Sequence, residues 1–167
     1  IFRPAAGLWL VRNLTRRYFG TGTDMPVPED YNGDRAWDIA VFRPAAGKWL
    51  IADAPQVYFG GSGDIPVPAD YNGDSLTDVA VFRPSAGKWL VRGGGTVYFG
   101  NSADVPVTAD YTGNGTEDIA LFRPAQGKWL IRNGQTVYFG NASDRPVPAD
   151  YTGNGVADIA VFRPAQG

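Results

Sequence analysis

One phrase returns every 40 residues: IFRPAAGLWL at residue 1, VFRPAAGKWL at 41, VFRPSAGKWL at 81, LFRPAQGKWL at 121 and VFRPAQG at 161. No insertion breaks the register. The 167 residues therefore divide into repeats 1–40, 41–80, 81–120 and 121–160, with the start of a fifth at 161–167. A unit this short cannot enclose a core of its own. It must bury its apolar faces against the next unit, which makes residues 1–167 a single repeat domain.

Within each repeat the pattern is that of strands. In the copy around the third phrase, residues 65–69, 78–83, 88–92 and 96–99 are rich in β-branched and aromatic side chains and are bounded by Gly, Pro, Asn and Asp. The 22 Gly and 13 Pro suit many turns, and no stretch has helical periodicity. Asn133-Gly134 reads as a two-residue hairpin turn. On the second strand Val79 and Val81 alternate with Ala80 and Phe82, so both faces are apolar, as in a sheet held between two others. The prediction is an all-β fold of tandem four-stranded antiparallel blades, 40 residues each, β-propeller-like and arranged as a partial propeller or an open stack. Trp9, Trp49, Trp89 and Trp129 on the third strand are expected in the inter-blade core. The same is expected of Tyr18-Phe19, Tyr58-Phe59, Tyr98-Phe99 and Tyr138-Phe139 on the fourth. The copies differ mainly in two surface loops, at residues 13–15, 53–55, 93–95 and 133–135, and at 21–23, 61–63, 101–103 and 141–143.

Between the first and second strands lies an acidic loop: DYNGDRAWD from Asp30, DYNGDSLTD from Asp70, DYTGNGTED from Asp110 and DYTGNGVAD from Asp150. Oxygen-bearing side chains fall at loop positions 1, 3, 5 and 9. They are Asp30, Asn32, Asp34 and Asp38; Asp70, Asn72, Asp74 and Asp78; Asp110, Thr112, Asn114 and Asp118; and Asp150, Thr152, Asn154 and Asp158. The alternation is like the start of an EF-hand loop, without its bidentate Glu or flanking helices. Hard oxygen donors with no nitrogen or sulfur suit Ca2+ better than Mg2+, which demands a tighter octahedron. Three carboxylates in each of the first two loops repel one another unless a cation sits among them. The last two loops carry two carboxylates each, which weakens the attraction, but hold Gly115 and Gly155 at position 6, where the first two have Arg35 and Ser75. The competing account is metal-free, with Asp and Asn capping turns through nearby backbone N–H groups.

Other chemistry is scarce. The chain has no Cys and no His, which removes thiolate chemistry, the commonest general base and the commonest transition-metal ligand. No nucleophile motif and no pair of carboxylates outside the loops stands out, so no enzyme is predicted. A net charge of −2 with no basic cluster argues against nucleic acid, and no apolar run is long enough to span a bilayer. Arg3, Arg43, Arg83, Arg123 and Arg163 recur, as do Asp24, Asp64, Asp104 and Asp144. They form either ion pairs within or between blades or a clamp for carboxylate-bearing glycans; recurrence in every repeat favours the pairs.

Taken together, PVPADYNGD, TDVAVFRP and VYFG at this spacing resemble the FG-GAP/VCBS-type repeats of bacterial surface proteins, which are related to the integrin α-subunit propeller. The "FG" element is matched by Phe19-Gly20, Phe59-Gly60, Phe99-Gly100 and Phe139-Gly140, while "GAP" is replaced by "FRP". The resemblance implies a propeller blade with Ca2+ held by the loop residues named above, an extracellular or cell-surface setting, and a role in adhesion or assembly. Propellers of this family often have seven blades. This chain, which opens at Ile1 rather than Met and so reads as processed or as part of a longer protein, holds about four. It begins at a second strand and ends at another, so Ile1–Pro4 and Val161–Pro164 would claim the same place in a closed ring. An open, head-to-tail stack would build a filament by self-association. The partners implied are further copies or other surface proteins. The alternatives are a lectin that reads glycans between blades, favoured if aromatics beside the variable loops are exposed, and a passive module of a larger extracellular enzyme.

Overall fold

The computed structural model describes residues 1–13 and 15–164; Leu14 of the first variable loop and residues 165–167 of the fifth repeat lie outside them. Five antiparallel sheets follow one another along the chain. The first has three strands, β1 (Phe2–Arg3), β2 (Leu8–Val11) and β3 (Thr15–Tyr18). Three complete blades follow: β4 (Met25–Pro26), β5 (Ala40–Arg43), β6 (Lys48–Ile51) and β7 (Val57–Tyr58); β8 (Ile65–Pro66), β9 (Ala80–Arg83), β10 (Lys88–Val91) and β11 (Thr96–Tyr98); β12 (Val105–Pro106), β13 (Ala120–Arg123), β14 (Lys128–Ile131) and β15 (Thr136–Tyr138). The last sheet is the pair β16 (Arg145–Pro146) and β17 (Val161–Phe162). The strands do not close into a barrel, and the fold is the all-β stack of four-stranded units that the repeat demands.

Register explains the core. Phe42 sits opposite Trp49, Phe82 opposite Trp89 and Phe122 opposite Trp129, with ring centroids 5.0–5.1 Å apart and the rings tilted. All six are fully buried. Each indole N–H is satisfied inside the blade, donating to the carbonyl of Phe59, Phe99 or Phe139 on the fourth-strand side. The two apolar faces of the second strand separate as the alternation predicts. Val79 and Val81 pack with Phe42 and Trp49 of the preceding blade, while Ala80 and Phe82 pack with Trp89 and with Leu121 of the following one. Burying a side chain the size of Trp or Phe in this way contributes on the order of 2–3 kcal/mol each, so the junctions between sheets hold the stack together.

The turn between second and third strands is a short 3-10 helix, Pro84–Ala86 in the third repeat, started by Pro and stopped by Gly87 at φ 54°. A side chain there would also collide with the Gly100 carbonyl, 2.2 Å from an added Cβ. The FRPxxG phrase and the FG phrase are thus packed against each other through two glycines.

Three expectations are corrected. The tyrosines of the fourth strand are not core: Tyr18, Tyr58, Tyr98 and Tyr138 stand in solvent, each beneath a cation (Arg16, Lys48, Lys88 or Lys128) 5.5–5.7 Å from the ring centre. The adjacent Phe59 and Phe99 do pack on the core, because alternate residues of a strand face opposite ways. Nor does Asn133-Gly134 form the two residues of a hairpin turn. Gly134 N–H donates to the Ile131 carbonyl, which puts Arg132 and Asn133 at the centre, with Asn133 at φ 59°. Asn13, Asp53 and Gly93 take the same left-handed place. Regular pairing of the first strand is also shorter than expected, two residues rather than five. Pro66 and Pro68 lack N–H donors; Val67 N–H still donates to the Ala80 carbonyl, and the isolated Ala69–Asp78 bridge follows.

Candidate functional site

The Ala69–Asp78 bridge and its counterparts Glu29–Asp38, Ala109–Asp118 and Ala149–Asp158 close the neck of each acidic loop. Below the neck, a tyrosine ties the loop to the first strand: Tyr31, Tyr71, Tyr111 and Tyr151 donate their hydroxyls to the carbonyls of Val27, Val67, Val107 and Val147.

Inside the loops the first position organises the backbone. Asp30 accepts from the N–H groups of Asn32, Gly33 and Arg35, and Asp70 from those of Asn72, Gly73 and Ser75. Asn32 and Asn72 accept from the N–H of Asp34 and Asp74, which in turn cap Ala36 and Leu76. The amides of Asn32 and Asn72 also donate across the loop to Asp38 and Asp78. In these two loops, then, positions 1, 3, 5 and 9 form one connected chain of contacts. Asp38 and Asp78 further accept from the N–H of Tyr31 and Tyr71.

The later loops differ at position 3. The hydroxyls of Thr112 and Thr152 turn back to Asp110 and Asp150, 3.4 Å away, rather than across to Asp118 and Asp158. Asn114 and Asn154 cap the N–H groups of Thr116 and Val156. Asp118 and Asp158 keep only backbone donors, from Tyr111 and from Tyr151 and Thr152. Backbone capping alone therefore accounts for much of loops three and four. The N–H of Gly155, opposed by desolvation but joined by Gly153 and Asn154, holds the Asp150 carboxyl below its ordinary range.

The donor set fits a hard cation by chemistry, since every side chain at positions 1, 3, 5 and 9 offers oxygen and the first two loops carry three carboxylates each. Asp78 shows the strain of that charge. Burial raises its pKa, the Tyr71 N–H opposes, and the neighbouring Asp74 and Asp70 carboxylates push it further up. Among the described residues, no three acidic side chains converge as metal ligands would. Asp34 and Asp74 accept instead from the N–H groups of Ala36 and Leu76.

The loops also touch one another. Thr77 N–H donates to the Asp30 carbonyl, Glu117 N–H to that of Asp70, and Ala157 N–H to that of Asp110, at 2.7–3.0 Å. A Cβ on Gly33 would meet Leu76 at 2.7 Å, and one on Gly113 would meet Val156 at 2.8 Å. Each loop is thus a surface on which the next one rests, and loop order and blade order are one problem. Glu117 adds a side-chain link, accepting from the Asp70 N–H.

The recurrent Arg and Asp are paired within the blades. Arg43, Arg83, Arg123 and Arg163 each grip Asp24, Asp64, Asp104 or Asp144 through two hydrogen bonds of 2.7–2.8 Å. The aspartates are buried and the arginines partly exposed. Burial would raise the Asp24 carboxyl, but Arg43 and the Thr21 N–H bring it below its usual range. These forks fasten the second loop of variable sequence to the second strand and engage four of the five recurrent arginines.

Residues that the repeat pattern passed over also line the site. Glu29 stands where the other repeats have Ala, and Glu117 where they have Trp37, Thr77 and Ala157; both are half-buried, and the charge of Glu117 acts on Glu29. Trp37 is 72% exposed beside the loop, unlike the tryptophans of the core. Their only sequence signal is departure from the repeat. No helix among the described residues is long and apolar enough to cross a membrane. Compared with known families, residues 62–99 match the model of the FG-GAP repeat. Searches of the curated proteins and of the solved structures found no match.

Proposed function

We propose that this chain, an FG-GAP-type repeat protein, is a non-catalytic extracellular or cell-surface scaffold whose acidic loops take up Ca2+ and so set the stacking of its blades. Its role is structural or adhesive, with self-association or docking to other surface proteins as its working state. The observation that carries this is the contact between consecutive loops: a backbone hydrogen bond joins each loop to the next. Anything that orders a loop therefore orders a blade junction. A cation held among Asp70, Asn72, Asp74 and Asp78 would offset the charge that Asp74 and Asp70 place beside Asp78, and Asp30, Asn32, Asp34 and Asp38 offer the same donor set. The two-carboxylate loops, with Asp110, Thr112, Asn114, Asp118 and with Asp150, Thr152, Asn154, Asp158, would bind more weakly. The burial of Trp49, Trp89 and Trp129 supports a scaffold rather than a stack of sugar-reading blades.

Calorimetric titration with Ca2+, paired with thermal melting in Ca2+ and in EDTA, tests the proposal. Uptake should occur first at two sites, raise Tm by several degrees, and weaken at least tenfold at one site in D74N. Absence of uptake together with identical melting curves would rule calcium out. Sedimentation velocity across a concentration series tests self-association, and a single monomeric species at every concentration would end that part of the proposal.

A further inference from the structure

We propose that the groove between the blade β4–β7 and the blade β8–β11 binds a neutral saccharide, with the indole of Trp37 as its stacking surface. It rests on the adhesive role proposed above, for which it supplies a ligand class.

Apart from the loop after the fourth strand, the differences among the repeats fall in two segments. Loop positions 6 to 8 read Arg35-Ala36-Trp37, Ser75-Leu76-Thr77, Gly115-Thr116-Glu117 and Gly155-Val156-Ala157, and the hairpins after the third strand differ as well. The structure brings these two segments to opposite walls of the same groove. A groove of about 830 Å³ has Trp37 and Leu76 on one side and the hairpin from Asp53 to Gln56 on the other. Its counterpart one blade on, about 640 Å³, is walled by Thr116 and Glu117 and by Gly93 to Gly95. All the blades share one scaffold, so the stack does not demand these differences. In repeat proteins, variation gathered on one surface marks where ligands are read.

The first groove is the better equipped. Trp37 is 72% exposed, whereas Trp9 is 5% and the other three are 0% exposed. The opposite wall is held in place from outside: Arg17 of β3 grips Asp53 with two hydrogen bonds of 2.9 and 3.0 Å. Of the five carboxylates that line the space, Asp34, Asp38, Asp74 and Asp78 belong to the acidic loops and Asp53 is held by Arg17; Gln56, Thr77 and Arg92 are lining polar groups outside those sets. The groove therefore sets a few donors and acceptors beside one flat apolar plane. A pyranose has the matching chemistry, with several hydroxyl donors around the ring and an apolar C–H face to lay on an indole. Five carboxylates against two guanidinium groups leave the lining anionic before calcium is bound, so uronic acids and sulfated sugars are disfavoured there.

A glycan array probed with the intact chain, in Ca2+ and again in EDTA, finds the ligand. A fluorescence titration with the best hit then locates it. Because the other four tryptophans are buried, acrylamide quenching reports on Trp37, and bound saccharide should protect it. W37A should lose at least tenfold in affinity while melting as the parent does, W37F should lose less, and Q56A on the facing wall should also weaken binding. No neutral saccharide bound in either buffer, equal binding by W37A, or capture of basic peptides alone would each overturn the proposal. The melting curves in Ca2+ and EDTA judge the scaffold separately, so a failure here is not confused with a failure there.

Discussion

Arg35 and Ser75 both have φ 67° at a place where the later loops use Gly115 and Gly155 at 81° and 83°. A side chain in the left-handed region costs roughly 1–2 kcal/mol, partly offset by the entropy that glycine loses on folding. R35G and S75G should each stabilise the chain by about 0.5–1 kcal/mol in urea unfolding. Removing one half of an Arg–Asp fork should do the reverse. The Asp64 side chain is 1% exposed, so R83A strands a buried carboxylate and should cost about 3 kcal/mol by the same measurement. Glu29 gives a pH signature. Burial first, and then the charge of Glu117, raise its pKa from 4.5 to about 7. An acid whose folded pKa is raised weakens the fold as pH climbs from its unfolded value through the folded one. E29Q should therefore melt like the parent near pH 4 and gain on it above pH 7, by about 1 kcal/mol once its partial exposure is discounted.

At the scale of elements, the close pair of glycines joining the FRPxxG turn to the FG phrase is the tightest point of each blade. G87A meets the Gly100 carbonyl at 2.2 Å and also forces alanine to φ 54°. We expect a loss of at least 2 kcal/mol in urea unfolding, against less than 1 kcal/mol for G61A, where an added Cβ meets nothing within 4 Å. The blades themselves were readable in advance, because apolar residues at period two and turn residues between them leave a strand little choice. The tyrosine beside each FG phrase was not. Which of two adjacent aromatics faces the core depends on register against the third strand, where Lys88 sits opposite Tyr98 and Trp89 opposite Val97.

For the whole molecule, stability is a chain of junctions rather than one core. The second and third strands of the complete blades contain the residues at 0% exposure, whereas β17 leaves Phe162 half exposed. Hydrogen exchange should find Ala80–Arg83, Lys88–Val91 and Ala120–Arg123 the slowest segments and the two-stranded sheet β16–β17 among the fastest. Uniform exchange along the chain would contradict this picture.

From sequence alone came the repeat, its four strands, the apolar pair of faces on the second strand, the Arg–Asp pairing and the places of the acidic loops. All of these follow from local pattern multiplied by a fixed period. Tertiary structure alone decided that each loop rests on the one before it, that the tyrosines face solvent, and that the variable segments meet in grooves with Trp37 exposed at the edge. Those are distances between residues remote in sequence, and no periodicity within a repeat encodes the packing of one blade against the next.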